Sequence, residues 1–364
     1  MRLGPGFFRL ESRSSRDLGV LLARQLALFG PLRVLDAMAG CGIRALRYGL
    51  EAGAASVWAN DADPDRLPLI EANLAPLAGR VRSTATTAQQ LLAGCLQHQQ
   101  RFALVDLDAF GSPSALLPLA IEAVAFGGAL YLASTDGRSP TGHDRRGAIR
   151  SLGAAARSHP ASWELALRLQ LAVQARVAWA MGRGLEPLFA FSEGRTFRTA
   201  VRITRSPAAR AEEQLGLMAY CHACGDQQVQ SLLTLRQWQP CACPPGEAPP
   251  LSISGPLWIG PLQDLELLAA MAAGPYPEGS VARPTSRLLT QLQADPASVA
   301  RCWPTAEIAK RLGGGPPPLQ ALLAAVRAEG WRAWPSGVMA GQIRTDAPWP
   351  LLLELAGQER GGHC

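Results

Sequence analysis

The sequence predicts an α/β fold: a parallel sheet interleaved with helices, then a short cysteine-rich segment and a mostly helical α+β C-terminal portion. Three observations predict it. Residues 33–61, RVLDAMAGCGIRALRYGLEAGAASVWAND, read as strand, glycine turn, helix and strand. From there to about Arg205, strand-like and helix-like runs alternate and end in two β-patterned runs. Four of the eight cysteines then crowd between Cys221 and Cys243.

Taken in order, residues up to Ser15 are polar and irregular and carry adjacent aromatics, Phe7 and Phe8, whose plain reading is a hydrophobic anchor. A helix is expected from Arg16, with Leu18, Val20, Leu21 and Leu28 on its apolar side. Arg33–Ala37 is an apolar strand carrying Asp36. Gly40 and Gly42 then form a turn with no side chain to obstruct a ligand. Ile43–Leu50 has helical spacing, Gly53 ends the helix, and a second strand from Ser56 finishes on Asn60-Asp61. A dinucleotide site wants G-x-G-x-x-G, whereas the pattern here is D-x-x-x-G-x-G with a second-strand acid suited to ribose hydroxyls. That points to S-adenosylmethionine rather than NAD, and a helix start after Gly42 favours the carboxylate which that cofactor carries. The plainer reading is an ordinary α/β unit with a glycine-rich turn.

PDRLPLIEANLAPL is a helix that tolerates Pro64 at its start, RVRSTATT a third strand, and AQQLLAGCLQHQQ the next helix. Phe102–Leu107 is a buried-strand run broken by Asp108-Ala109-Phe110-Gly111-Ser112-Pro113. It places Asp106, Asp108 and Phe110 at the carboxyl edge, where open α/β sheets bind ligands. Acids there face a ligand or cap the following helix. A fifth strand leads to a polar loop holding His143, whose ordinary fate is the surface. Ser162–Met181 is a long amphipathic helix, and LEPLFAFSEG with RTFRTAVRITR reads as a closing antiparallel pair.

The C-x-x-C at Cys221 and Cys224, paired with C-x-C at Cys241 and Cys243, reads as a tetrahedral zinc site. Four thiolates leave no open position, so the zinc is structural; His222 as a ligand and free thiols are the alternatives. Beyond Gly260 the chain is mostly helical, and TAEIAKRL with the helix after it resembles a small winged-helix-like module. Arg311, Arg327, Arg332 and Arg344 are candidates for a nucleic-acid face there, with a plain packing role beside it. The divisions read from composition are residues 1–210, 211–262 and 263–364.

With 48% hydrophobic and 18% charged residues, the chain is not disordered. The balance of 35 Lys+Arg against 29 Asp+Glu, +6 net, permits an acidic partner such as RNA without requiring one. No long uncharged apolar run reads as a membrane span and no signal-type core follows Met1, so a cytoplasmic protein with reduced cysteines and no membrane contact is expected. No obligate protein partner is evident.

Together the motifs resemble the tRNA guanine-N2 dimethyltransferase family: S-R-D-L at 15–18, D-A-M-A-G-C-G-I-R at 36–44, A-N-D at 59–61 and D-L-D-A-F-G-S-P at 106–113. S-T-D at 134–136, Y-C-x-x-C-G at 220–225, G-P-L-W-I-G at 255–260 and I-R-T-D-A-P at 343–348 extend the resemblance through nearly the whole chain. It implies a Rossmann-like class I methyltransferase sheet, S-adenosylmethionine as cofactor, tRNA as partner, and methylation of the exocyclic N2 of guanine 26 and a neighbouring guanine. By matching motif, Arg16 would meet the methionine carboxylate, Asp61 the ribose, and Asp36, Gly40, Gly42, Thr87, Ala88 and Asp106 would complete the cofactor site. Asp108 would be the catalytic acid, with Phe110 and Phe7 holding the base, and 263–364 would bind tRNA.

Three positions depart from the family pattern. Ala109 stands for Pro, Thr87-Ala88 for Asp-Ala, so that a hydroxyl replaces the carboxylate expected at adenine, and Ser192-Glu193-Gly194-Arg195 for S-D-H-Y. Two other functions fit: methylation of another exocyclic amine on RNA, and tRNA binding by a protein whose cofactor pocket has decayed.

Overall fold

The computed structural model describes residues 2–4, 9–241, 243–244, 246–274 and 280–361. In chain order the elements begin α1 (Arg13–Ala27), β1 (Arg33–Asp36), α2 (Ile43–Glu51), β2 (Ser56–Asp61), α3 (Leu67–Leu74) and β3 (Val81–Ala85). They continue α4 (Ala88–Gln97), β4 (Phe102–Asp108), α5 (Leu117–Ala123), β5 (Val124–Ser134), α6 (Arg145–Leu152) and α7 (Ser162–Ala180). Next come β6 (Gly184–Glu193), β7 (Thr196–Thr204), β8 (Leu215–Tyr220), β9 (Gln227–Ser231), β10 (Ser252–Trp258), α8 (Leu265–Ala273) and α9 (Arg283–Gln293). The last are β11 (Cys302–Pro304), α10 (Thr305–Leu312), α11 (Leu319–Ala328), β12 (Ala333–Pro335), β13 (Gln342–Thr345) and α12 (Trp349–Gly361).

These elements form two compact units, each assembled from separated stretches: Met1–Asp136, Gln174–Ala208 and Asp264–Thr290 in one, the remainder in the other. The compositional divisions at 210 and 262 fall close to two of these boundaries. Residues 264–290, read from sequence as C-terminal, belong instead to the first unit, where α8 packs on α1 and Asp17 accepts from Thr285 Oγ1 at 2.7 Å.

The first unit is built on a seven-stranded sheet ordered β3-β2-β1-β4-β5-β7-β6. The pairs from β3 through β5 are parallel; β5–β7 and β7–β6 are antiparallel, as the alternation of the last two strand runs predicts. The chain winds outward from β1 through β2 to β3, then restarts at β4 on the other side of β1. Opposite-going connections therefore leave a crevice at the carboxyl ends of β1 and β4. Val34, Leu35, Leu104, Val105 and Leu107 are wholly buried, which explains why these strands read as continuous apolar runs rather than alternating ones. Helix α1 starts three residues earlier than its apolar pattern, because Ser14 and Ser15 fit a first turn as well as they fit a loop.

The second unit holds two three-stranded antiparallel sheets, β10-β8-β9 and β11-β13-β12. One core gathers Leu165, Leu169, Met218 and Leu257; the other packs α10, α11 and α12 around Trp303 and Trp349, stacked at 5.3 Å. The helices α10 and α11 followed by the β12–β13 hairpin agree with the winged-helix-like reading.

Arg344 is not on a nucleic-acid face. It is fully buried, with Nε 2.8 Å from Asp295 and Nη2 2.7 Å from Glu164. Glu164 also accepts from buried Arg168 at 2.8 Å, so two acids and two guanidiniums close on one another in the interior. The side chain had to be drawn inward because neither acid could be buried alone. Arg311 is likewise occupied, donating to the Ala223 and His222 carbonyls and to Glu307.

Candidate functional site

A cavity of about 480 Å³ opens in the first unit at the carboxyl edge of β1, β2 and β4. Its floor is the turn after β1. Gly40 and Gly42 adopt φ of 60° and 78°, in the left-handed region that a side chain strongly disfavours, and the turn closes with Gly42 N–H donating to Ala39 O at 2.8 Å. Asp61, ending β2, accepts from Gly40 N at 2.8 Å through Oδ2 and from Asp63 N at 3.1 Å through Oδ1. The turn is thereby pinned to the acid suited to ribose hydroxyls. Ala88, opening α4, lines the wall.

Arg16 reaches the cavity from α1, oriented by donation to the Arg9 and Leu10 carbonyls at 3.0 and 3.4 Å. Burial and then the neighbouring Arg44 lower its pKa to about 10, so it stays cationic at neutral pH. Glu193, in the stretch that departs from the family pattern, accepts from Ser15 N at 2.9 Å and so fixes the residue beside Arg16.

The acid at the end of β4 faces the same cavity. Asp108 lines the cavity with its side chain one-third exposed (33%), and it caps no helix; Phe110, 77% exposed, lines the same cavity. Two buried guanidiniums grip the carboxylate: Arg198 from β7 at 3.0 Å on Oδ1 and Arg44 from α2 at 3.2 Å on Oδ2. Burial alone would raise the Asp108 pKa, but Arg198 and then Arg44 outweigh it and bring it to about 2. The group is an anion across physiological pH. The loop beyond it is latched to the end of β5, with Gly111 N donating to Thr135 Oγ1 at 2.6 Å and Thr135 N to Gly111 O at 3.1 Å.

Asp36 and Asp106 do not line this cavity; both lie completely buried behind it. Asp36 Oδ2 accepts from Ala45 N at 3.1 Å, so the positive start of α2, expected to meet a ligand carboxylate, is already served by the chain's own acid. Asp106 accepts from Tyr48 at 2.6 Å and from Arg44 at 3.4 Å. Burial raises both carboxyls above their ordinary range, Asp36 further because Asp106 lies near it while Arg44 offsets the rise at Asp106. Gly42 serves as the left-handed cap of α2 rather than as a lining residue. Thr87 also turns away: its hydroxyl accepts from Gln90 N at 3.3 Å in a capping box that starts α4. Phe7 lies outside the described residues.

Three comparisons bear on this arrangement. Residues 4–356 match the family model for N2,N2-dimethylguanosine tRNA methyltransferase. The chain belongs to that family. Among curated relatives, the tRNA (guanine(26)-N(2))-dimethyltransferase of Methanoregula boonei is 31% identical over 353 residues, covering 96% of this chain and 90% of that protein. The enzyme of the same name from Thermococcus kodakarensis is 26% identical over 367 residues, covering 96% and 93%. The solved complex of Trm1 from Pyrococcus horikoshii with S-adenosyl-L-methionine superposes with a TM-score of 0.82 at 24% identity, over 96% of this chain and 94% of that one. That agreement establishes the methyltransferase fold.

In this methyltransferase the guanidiniums of Arg44 and Arg198 are the site residues that sequence reasoning passed over. Arg44 sat in view inside the glycine-turn motif. Its signal was arithmetic: Asp36, Asp106 and Asp108 converge on one crevice and demand buried cations. Arg198, from the strand paired antiparallel to β5, carried no local signal at all. In the second unit the ligand sulfurs of Cys221, Cys224, Cys241 and Cys243 all lie within 4.8 Å of one another, with Cys221 Sγ 3.7 Å from those of Cys241 and Cys243. Tetrahedral zinc with Zn–S of about 2.3 Å puts its sulfurs about 3.8 Å apart, so the quartet fits the ion. Among the described residues no helix is long and apolar enough to cross a membrane.

Proposed function

We propose that Asp108 is the catalytic carboxylate with which this S-adenosylmethionine-dependent tRNA (guanine-N2)-dimethyltransferase orients the exocyclic amine of its target guanine. The observation that carries the reading is the shared cavity: an anion gripped by two arginines faces the same space as the glycine turn, Asp61 and Arg16. The residues suit the cofactor. Asp61 would hold the ribose, Arg16 the methionine carboxylate, and Ala88 would lie along the adenine. When bound, S-adenosylmethionine supplies an electrophilic methyl group. The N2 lone pair of guanine is delocalised into the ring, so the protein must position and polarise the amine. Asp108 would accept a hydrogen bond from N2–H and so raise electron density on the nitrogen that takes the methyl, the cofactor's sulfonium sulfur giving up its bond to that carbon and leaving as a neutral thioether. The same carboxylate then takes the departing proton. With a pKa near 2 it hands that proton on to water at once and is ready for a second methyl. Exposed Phe110 offers a ring against which the extruded base stacks, the route by which N2 is reached from inside a stem.

The finer parts of the reading are guanine 26 of tRNA as the target, one structural zinc on the four cysteines, and a cytoplasmic setting in which those thiols stay reduced. The test is incubation of purified protein with tRNA and labelled cofactor, followed by nucleoside analysis and mapping of the modified position. N2-methyl- and N2,N2-dimethylguanosine are expected from the unaltered chain, with a loss of at least 100-fold in Asp108→Ala. Absence of methylguanosine, or an unchanged rate in that variant, refutes the assignment.

A further inference from the structure

The first turn of helix α6, in the second unit, carries charge of the wrong sign for folding. Its sequence, RRGAIRSL, places Arg145 and Arg146 in the first turn, where the helix dipole is already positive, with no acid in that turn. Arg146 and Arg150 stand four apart, a like-charge pairing that weakens a helix by a few tenths of a kcal/mol. All three arginines are exposed, and no ion pair reaches any of them among the described residues. The helix stands because other terms hold it. Asp144 caps it through Gly147 N at 2.8 Å, Gly153 closes it at φ 59°, and Ala148 and Leu152 are buried in the core with Leu165 and Leu169. Two guanidiniums set against the dipole at the start of the helix, and a third repelling one of them a turn later, are exposed and without an ion pair where neutral residues at 145 and 146 would fold better, so the chain carries them for something outside itself.

We infer that the outer face of α6, Arg145, Arg146 and Arg150, is a docking surface for the phosphate backbone of the RNA substrate. Guanidinium is the side chain suited to bidentate phosphate contact, and Arg146 and Arg150 lie one helical turn, about 6 Å, apart along the face. A lipid surface fits less well: the face carries one exposed apolar side chain, Ile149, and eight residues offer too little apolar area to enter a bilayer interface. The inference rests on the tRNA reading above and adds to it where the RNA backbone is held.

The test measures tRNA binding and methylation from 50 to 300 mM KCl for the full chain and for Arg145→Gln/Arg146→Gln/Arg150→Gln. The triple variant is expected to bind tRNA about 10- to 100-fold more weakly at 100 mM salt, with the slope of log K against log salt reduced by about 2–3. Its S-adenosylhomocysteine affinity and its rate at saturating tRNA should be unchanged, and its melting temperature should not fall. Replacing the three by lysine should restore most of the slope, and Arg101→Gln/Arg205→Gln/Arg210→Gln, which removes equal charge elsewhere, should leave it intact. An active enzyme whose triple variant keeps the original slope and affinity overturns the docking surface, as does an equal effect of the control triple. Failure of the unaltered chain to methylate tRNA instead overturns the functional reading beneath it.

Discussion

Arg198→Met is the sharpest test of how Asp108 is held. At an effective dielectric of about 20, a guanidinium and a carboxylate with charge centres about 4 Å apart attract by about 4 kcal/mol. The carboxylate is one-third exposed (33%), and screening by water reduces this to about 1–2 kcal/mol, or about one pKa unit. Loss of Arg198 therefore raises the Asp108 pKa from about 2, while Arg44 still opposes the effect of burial and the group remains ionised at neutral pH. The charge survives; the orientation does not, because only the 3.2 Å contact to Arg44 remains. A carboxylate free to rotate forfeits about 1.4–2.7 kcal/mol of transition-state stabilisation, about 10- to 100-fold in kcat. Single-turnover methylation of tRNA at saturating substrate reads that loss, and titration calorimetry with S-adenosylhomocysteine should show an affinity within threefold of the original. The rate should stay flat with pH between 6 and 9 in both proteins, and Arg198→Lys should recover part of it. A kcat within twofold of the original, or a defect seen chiefly in cofactor affinity, would refute the positioning role.

Other consequences follow from the same side chains. Glu164 is buried, which alone would raise its pKa, but Arg344 and Arg168 pull it down from 4.5 to about 2. A depressed acid stabilises the fold above its unfolded pKa, and that contribution, about 3 kcal/mol, disappears as pH falls from about 4.5 to about 2. Glu164→Gln should cost about 3–5 kcal/mol at pH 7 in urea denaturation and flatten the stability profile in that acid window. Chelation, or Cys224→Ser, should release one zinc per chain and lower the melting temperature by about 5 °C; purified protein without stoichiometric zinc would contradict the site. Thr87→Ala should remove the cap of α4 and about 1 kcal/mol of stability while leaving S-adenosylhomocysteine affinity unchanged, and a tenfold loss of affinity would show that the hydroxyl reaches the adenine after all.

The sheet was legible because its strands are short apolar runs punctuated by glycine and acids, and each run maps to one buried parallel strand. Asp61 and Asp108 were legible as cavity residues because each ends a strand at the crevice, and Phe110 because it lies in the loop just after Asp108, whereas Arg16, inside α1, was marked only by the family resemblance. What the sequence hid is depth. Asp36 ends β1 just as Asp61 ends β2, yet one is wholly buried and taken up by Ala45 N of α2 while the other lines the cavity, a difference made by a residue of another element. Arg344 misled for the same reason: an arginine in a polar motif reads as surface until Glu164, 180 residues away in sequence, comes to meet it.

Ala109 brings these strands together. The family pattern has proline there, and its replacement suggests a looser catalytic loop, since proline fixes φ. The structure locates the restraint elsewhere. Asp108, just before Ala109, is clamped by Arg44 and Arg198; Gly111, two residues after it, is held by two hydrogen bonds to Thr135 and accepts from Ser134 Oγ at 3.2 Å. Ala109 itself is 3% exposed between those anchors, so its backbone is confined from both sides without a ring. Ala109→Pro should then act chiefly on the unfolded chain, adding about 0.4–1 kcal/mol of stability and changing kcat by less than threefold. Thr135→Val, which removes the side-chain bond of the latch and keeps the backbone bond and the shape, should instead lower kcat by about tenfold, the effect of about 1.4 kcal/mol. If the proline variant gained tenfold in rate while the valine variant stayed at the original level, the loop would be governed by the backbone of residue 109 and the double anchoring would be irrelevant to catalysis.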